Sequence, residues 1–349
     1  MSVPIRLSFC IPVYNFGAFV GETIASVLVD VGERQDVEII VLDGASTDDT
    51  PAVMAQLTAH DGRIRYLRQN RRGGIDADLA ATVQAARGEY CWLLSGDDTL
   101  RPGAVAGLLA RLDDACDVYL CEHTQCDRDM TFLHDYPVFA DRRLRRCDLG
   151  DAGERLGYLA AARNTEALFS FMSGVIVRRS TWLALPEASD FMGSCWAHVA
   201  RLLQCDDGRL MVCYVGECWV NRRGDNDSFL EQGVVRRLAL AVDGYHRIAN
   251  RYYGDVSPEA AQIRRLVRAD LRLILFMHAK ALTCEQPARE SRIELDRLVR
   301  TAFSDKTTAC RVAKAVYFGT PVWVYRALRV VRRLFKRMPN SGSNAEAGT

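Results

Sequence analysis

Three polar runs in this chain follow directly on apolar ones. Pro12-Val13-Tyr14-Asn15 closes the first, Asp43-Gly44-Ala45-Ser46-Thr47-Asp48-Asp49-Thr50 the second, and Ser95-Gly96-Asp97-Asp98 the third. Any one of them has an ordinary explanation, because Asp, Ser and Gly are the usual residues of turns and helix starts. Three together, two of them acidic, exceed what turn chemistry alone requires. In an open α/β sheet, ligands bind at the carboxyl ends of the strands. The three runs therefore point to one sheet edge where carboxylates and an aromatic ring meet a ligand.

The apolar segments have the spacing that would bring those ends together. Leu7 to Val13 is continuous and β-branched, as in a strand buried on both faces, and Phe19, Ile24, Val27, Leu28 and Val31 then recur at helical spacing. Further strands are predicted at Val37 to Leu42, Ile64 to Leu67, Tyr90 to Leu94 and Val118 to Thr124. Thr50 ahead of Pro51 predicts an N-cap and a helix to about Ala59. Ile75 to Arg87 is a helix closed by Gly88, and another helix begins at Pro102. This β-α-β-α-β order predicts an α/β fold: a mostly parallel sheet with helices on both faces. Beyond residue 126 the pattern loosens into a strand over Phe171 to Val177, a helix over Gly193 to Gln204 and a strand over Leu210 to Val220. Helices are then expected over 229–253, 258–284, 287–303, 307–318 and 321–338.

Pro12-Val13-Tyr14-Asn15, the run Val41 to Thr50, and the stretch Gly88-Glu89-Tyr90-Cys91-Trp92-Leu93-Leu94-Ser95-Gly96-Asp97-Asp98 resemble family-2 glycosyltransferases of the GT-A fold in order and spacing. The resemblance covers roughly residues 5–125 and continues loosely to about 225. Within that family, Phe171-Met172-Ser173-Gly174-Val175 and Gly193-Ser194-Cys195-Trp196-Ala197-His198 look most like abequosyltransferase-type enzymes that build bacterial O-antigen. The resemblance implies a Rossmann-like nucleotide-sugar-binding and catalytic domain over 1–225. A helical region over 226–338 with a basic amphipathic end and a disordered tail over 339–349 would follow it.

The family's roles carry over residue by residue. Pro12 and Tyr14 would give a nucleotide base its flat apolar contact, with Asn15 beside them, and Asp43 would accept from a pyrimidine N–H. Asp43 follows four apolar residues, where an unpaired carboxylate is costly until a ligand satisfies it. Ser46 and Asp48 either meet the nucleotide or shape the turn. A departing diphosphate concentrates negative charge, which Mg²⁺ or Mn²⁺ held by one or two carboxylates neutralises. The family's Asp-x-Asp motif stands here as Ser95-Gly96-Asp97, so its first acid is a serine. Ser95 would then bond a ribose hydroxyl, Asp97 would ligate the cation, and Asp98 would support it. In the Gly-containing loop after strand 3, Arg72 is placed to meet phosphate and Asp76 a sugar hydroxyl. Arg222 or Arg223, in the loop after Trp219, would reach the diphosphate.

Inversion at the sugar, which the resemblance also implies, needs a base for the acceptor hydroxyl. The family places an Asp there, within a Glu-Asp pair, whereas this chain has Ser194-Cys195. His198, one helical turn on, has an ordinary pKa close to operating pH. It is the favoured candidate, and Asp190, just before the helix, is the other.

Composition frames these expectations. The chain has 349 residues, a net charge of +1 and 49% hydrophobic residues, enough for one sizeable core, or for one core with a helical appendage. From Asp305 to Met338 there are nine Lys/Arg against one acid. On a helix from Pro321, Arg326, Arg329, Arg333, Lys336 and Arg337 share a face opposite Leu328, Val331, Phe335 and Met338, with Trp323 and Tyr325 as interfacial aromatics. That pattern suits the surface of an anionic membrane, where lipid-linked glycan acceptors reside. The acidic remainder argues against nucleic acid. Twelve cysteines without a secretory pattern predict a reduced chain, cytoplasmic and peripheral on the inner face of the cell membrane. Cys116, Cys121, His123 and Cys126 lack the paired spacing of a structural zinc site and are read as buried residues. A dinucleotide enzyme would need G-x-G-x-x-G after strand 1, and a P-loop enzyme its own motif; neither occurs. The expected function is transfer of a sugar from a nucleotide diphosphate donor to a lipid-linked glycan. The alternative is a catalytically degenerate transferase serving as a membrane-associated assembly factor.

Overall fold

The computed structural model describes residues 3–204, 208–226, 232–287 and 290–325. They fall into two compact units: Met1–Asp227 with Gly244–Asp270, and Ser228–Asp243 with Leu271–Thr349.

The first unit is built on a ten-stranded sheet. Its leading strands are β1 (Leu7–Val13), β2 (Val37–Asp43), β3 (Ile64–Arg68) and β4 (Tyr90–Leu93), followed by the short β5 (Thr99–Leu100) and the long β6 (Val118–Cys126). β7 (Phe132–Tyr136), β8 (Arg145–Asp148), β9 (Val175–Arg178) and β10 (Met211–Arg222) complete it. The order is β3-β2-β1-β4-β9-β6-β10-β5, with β7 on β6 and β8 on β10. β3, β2, β1 and β4 are parallel, and β6 and β10 run the same way because β9 lies antiparallel to both β4 and β6.

Leu7, Phe9, Ile11 and Val13 of β1 alternate onto one face. There they meet Val20, Ile24 and Val27 of α1 (Val20–Val31), Met54 of α2 (Thr50–His60), and Val105 and Leu108 of α4 (Ala104–Leu109). Cys10 points the other way, beside Thr82 of α3 (Ile75–Ala85), so helices cover both faces. The sheet is mostly parallel and α/β, as its sequence pattern predicts.

Local departures from the predicted elements have visible causes. Thr50 is the first residue of α2 rather than its cap, because the Asp48 carboxylate takes both its N–H (3.0 Å) and its hydroxyl (2.6 Å). The strand expected from Phe171 starts only at Val175. Ser173 is drawn off the strand path, its carbonyl accepting from Trp92 Nε1 at 2.8 Å. The helix expected from Gly193 is only α7 (Ala197–Leu203), since Cys195 has φ 70°, outside helical space. Two further helices, α5 (Ala152–Ala161) between β8 and β9 and α6 (Arg179–Ala184) directly after β9, were not marked by the looser sequence pattern.

α8 (Val234–Tyr253) counts with the second unit up to Asp243 and with the first from Gly244. Tyr245, on the latter part, lies against Trp196 with ring centroids 4.6 Å apart. The helix expected over 258–284 is two, α9 (Pro258–Asp270) and α10 (Leu273–Glu285). α9 belongs to the first unit, where its Asp270 accepts from Thr165 N at 3.0 Å.

The second unit packs α8, α10, α11 (Arg292–Ala302) and α12 (Thr308–Gly319) around Val242, Phe276, Leu295, Leu298 and Tyr317. Glu290 caps α8 by accepting from Val234 N (2.8 Å) and Val235 N (2.9 Å). Of the expected basic helix over 321–338, residues 322–325 are helical and 326–338 lie outside the described residues. Among the described residues no helix is long and apolar enough to cross a membrane.

Candidate functional site

The loops after β1 and β2 are stitched into one rim. Asn15 takes φ 58°, a left-handed conformation that Asn tolerates, and its N–H donates to Ser46 Oγ at 2.9 Å. Thr47 N donates back to Asn15 Oδ1 at 2.8 Å, Phe16 N to Thr50 Oγ1 at 3.0 Å, and Gly17 N to Asp48 Oδ2 at 2.9 Å. Ser46 and Asp48 thus have a turn-shaping task whatever else they touch. Pro12 is buried in β1, while Tyr14 is half-buried and carries the exposed Arg72 guanidinium over its ring at 4.0 Å. Tyr14 and Arg72, proposed separately from the sequence, therefore form one cation–π platform.

Asp43 is fully buried at the end of β2, and the protein itself partners it. Ser46 N donates to Oδ1 at 2.7 Å, Tyr66 OH to Oδ2 at 2.5 Å, and Arg68 Nε lies 3.5 Å away. The burial cost foreseen for this carboxylate is thus met without a ligand, by a tyrosine and an arginine of β3 that the sequence reading did not single out. Beside it sits Asp78 of α3, also buried. A Cβ at Gly44 would come within 2.5 Å of Asp78 Oδ2, and one at Gly73 within 2.7 Å of Oδ1, so both loops need glycine there. Burial pushes the Asp78 carboxyl above the ordinary range, and the Asp43 charge adds to the shift.

At the end of β4 the Ser95 hydroxyl donates to Asp97, whose Oδ2 also accepts from Asn226 Nδ2 at 2.7 Å. Asp97 remains half-buried while Asp98 is enclosed. Asp98 Oδ2 accepts from Ser173 Oγ at 2.6 Å, and Oδ1 from Arg223 N at 3.0 Å. Burial, with the Asp97 charge behind it, pushes the Asp98 carboxyl up to about 7. Arg223 is spent on the scaffold, donating from Nε to Asp97 O at 2.9 Å and pairing with Glu22 at 2.5 Å. Arg222 lies instead over the Phe171 ring, 5.5 Å from its centroid. Ser173, Arg223 and Asn226 come from segments 75 or more positions away, and no spacing rule in the sequence reaches that far.

Asp76 is buried and holds the entrance to α7, accepting from Cys195 N at 2.8 Å and Ala197 N at 3.1 Å. His198, also buried, bonds through its ring to the Phe169 carbonyl, while Nε2 has no hydrogen-bond partner. Burial lowers its pKa against the opposing Asp76 charge, favouring the neutral imidazole. Asp190 stands apart, exposed in a 3₁₀ turn (Ser189–Phe191) and 3.7 Å from Arg251. Cys116, Cys121 and Cys126 are buried thiols. Among the described residues no three His, Cys, Asp or Glu side chains gather as a metal site.

The model of glycosyl transferase family 2 matches residues 8–165, the segment that carries all three strand-end runs. Residues 8–165 thus carry a domain of that family. Abequosyltransferase RfbV of Salmonella typhimurium is 29% identical over 254 residues, 71% of this chain and 75% of that protein. The GalNAc(5)-diNAcBac-PP-undecaprenol β-1,3-glucosyltransferase of Campylobacter jejuni is 33% identical over 31% of this chain, which spans 35% of that enzyme. Among solved structures, residues 1–349 of TarS from S. aureus, in complex with UDP-GlcNAc, superpose with a TM-score of 0.56 at 12% identity, covering 95% of this chain and 92% of that one. The superposition shows the shared GT-A fold. The family-2 domain makes this a glycosyltransferase-like chain, and the relatives it resembles include an abequosyltransferase.

Proposed function

We propose that this glycosyltransferase moves a sugar from a nucleotide diphosphate donor to a lipid-linked glycan acceptor, with inversion, in synthesis of a bacterial surface polysaccharide of O-antigen type. The observation that carries the reading is the convergence of the ends of β1, β2 and β4. Tyr14 with Arg72, Asp43 and half-buried Asp97 stand at those ends. The base would lie on the Tyr14–Arg72 platform near Asp43, and the ribose near Ser95. The relatives' names add transfer of an abequosyl group and an undecaprenyl-diphosphate-linked acceptor.

The donor set fits a hard divalent cation brought in with the diphosphate. Asp97 supplies a carboxylate, phosphate and water oxygens would complete the shell, and buried Asp98 supports from behind. When bound, Mg²⁺ or Mn²⁺ would neutralise charge on the departing diphosphate. The protein's own part is to orient the reactants and take the proton. Nε2 of His198, neutral and unpartnered, accepts the acceptor hydroxyl proton as that oxygen bonds to the sugar's C1. The C1–O bond to the diphosphate breaks, and its electron pair leaves on the oxygen of the departing nucleoside diphosphate, near Arg222. Asp190, exposed beside Arg251, is the lesser candidate for the proton.

The C-terminal segment is proposed to hold the enzyme on an anionic membrane. In its described part Val312, Val316 and Trp323 are exposed, and nine Lys/Arg lie between Asp305 and Met338. A thermal-shift panel of UDP, GDP, CDP and dTDP, with and without Mn²⁺, tests the donor site on wild type and Asp97→Ala. One nucleoside diphosphate should stabilise the wild type only with metal, by mass action, and Asp97→Ala should lose that shift. No shift from any of the four refutes the reading.

A further inference from the structure

A second polar cluster lies buried behind the site, and the reaction as described does not use it. His123 of β6 is fully buried, its ring between Tyr136 (centroids 5.0 Å apart) and Phe171 (4.4 Å). Its Nδ1 is 3.2 Å from Glu166 Oε2, yet neither ring nitrogen nor that oxygen has an aligned hydrogen-bond partner. Glu166 is itself only 5% exposed. Nδ1 and Oε2 meet each other, so His123 Nε2 is the buried atom left without any partner, and a buried acceptor or donor so left calls for a guest. Around them, Asp270 accepts from Thr165 N at 3.0 Å and from Tyr136 OH at 3.3 Å, and the Tyr245 hydroxyl faces Thr165 and Ser170.

The cluster's place in the chain tells what kind of guest. The segment 165–173 runs past it, and its Phe169 carbonyl accepts from the His198 ring. Phe171 packs on His123 and lies under Arg222, and Ser173 bonds Asp98. One end of the segment thus touches the proposed proton acceptor and the other the proposed diphosphate site. An acceptor hydroxyl has to meet the donor's C1 between those two. The lining matches a sugar: carboxylate and imidazole for vicinal hydroxyls, and the half-buried rings of Tyr136 and Phe171 for its apolar face.

We infer that the His123–Glu166 cluster, with Tyr136 and Phe171, is the subsite that binds a polyhydroxylated sugar ring of the acceptor. This rests on the transferase reading above. His123 and Glu166 are positioning residues that set which acceptor hydroxyl faces C1.

The test uses full-length protein with a saturating nucleoside diphosphate and the methyl α-glycosides of mannose, rhamnose, galactose and glucose as probes, titrated by saturation-transfer NMR. At least one glycoside should bind the wild type, and Glu166→Gln and His123→Gln should each weaken it about tenfold or more, the size expected for a lost hydrogen bond to a charged group. Tyr136→Leu, at the half-exposed platform, serves as a third variant if either buried substitution unfolds the protein. The nucleoside diphosphate thermal shift should be unchanged in all three. Binding of the nucleotide without any glycoside signal, or a glycoside signal indifferent to these substitutions, overturns the inference alone and leaves ordered water as the guest. Absence of the nucleotide shift in the wild type overturns the transferase reading and this subsite with it.

Discussion

Tyr66→Phe isolates what holds the buried carboxylate at the end of β2. The substitution deletes one oxygen, the donor to Asp43 Oδ2 at 2.5 Å. It leaves Ser46 N on the other oxygen and the Arg68 guanidinium 3.5 Å away on a side chain that is 50% exposed. So distant and solvated a cation compensates little. A hydrogen bond to a charged group is worth about 1.5–3 kcal/mol, so the variant should lose about that much. In a unit of this size, each kcal/mol corresponds to roughly 2–4 °C in Tm, giving a fall of roughly 3–12 °C by differential scanning fluorimetry and a matching loss in urea denaturation. The carboxylate itself stays in place, so the stabilisation added by the preferred nucleoside diphosphate should persist. A loss below about 0.5 kcal/mol, the scale of an ordinary surface change, would show that Tyr66 does not hold Asp43. Loss of the nucleotide shift with unchanged stability would move Tyr66 from the scaffold into the ligand site.

Other outcomes follow from the same geometry. His198→Gln should lower turnover by about 10²–10⁴, the range for a lost general base, while nucleoside diphosphate binding stays as in wild type; equal loss of both would place His198 in the scaffold. Deleting residues 320–349 should release the protein from anionic vesicles in a sedimentation assay, and continued sedimentation would refute the basic end as the anchor. Burial raises the Asp270 carboxyl above its ordinary value. Between the unfolded and folded pKa the native state therefore holds the extra proton, and stability should fall as pH rises from the ordinary carboxylate range. Asp270→Asn should flatten that limb in pH-dependent denaturation; an unchanged slope would assign it to other groups.

The sequence made the sheet's leading half legible because its strands are buried on both faces and its helices have clear periodicity. β1 spans Leu7–Val13, the run the pattern marks, and β2 differs only by including Asp43. The strand ends followed from that, and with them Tyr14, Asp43 and Asp97. What lay hidden depends on long-range pairing. Nothing near Asp98 in sequence shows that Ser173 and Arg223 will enclose it, or that Asn226 will hold Asp97. Asp43 was recognised as costly to bury, but its solvents, Tyr66 and Arg68, sit in β3, where they look like ordinary strand residues. Asp76, expected at a sugar hydroxyl, also accepts from the Cys195 and Ala197 N–H groups of the turn into α7, a pairing that the sequence does not reveal. The buried pair His123 and Glu166 comes from a strand and a 3₁₀ turn 43 positions apart, a separation with no periodic signature.

The antiparallel insertion of β9 between β4 and β6 fixes an order of events during synthesis. By the time residue 100 has left the ribosome, β1 to β4 can already pair with one another and with α1 to α3, although β9 and α4 are still to come. The Ser95–Asp98 loop cannot. Its partners at Ser173, Arg223 and Asn226 emerge 75 to 129 residues later. The nascent chain therefore carries the proposed nucleobase platform long before the proposed diphosphate seat is finished. A polypeptide stalled or cleaved before residue 226 would carry the whole leading sheet yet leave Asp97 without the Asn226 amide, so the proposed diphosphate seat is finished only after the sheet itself.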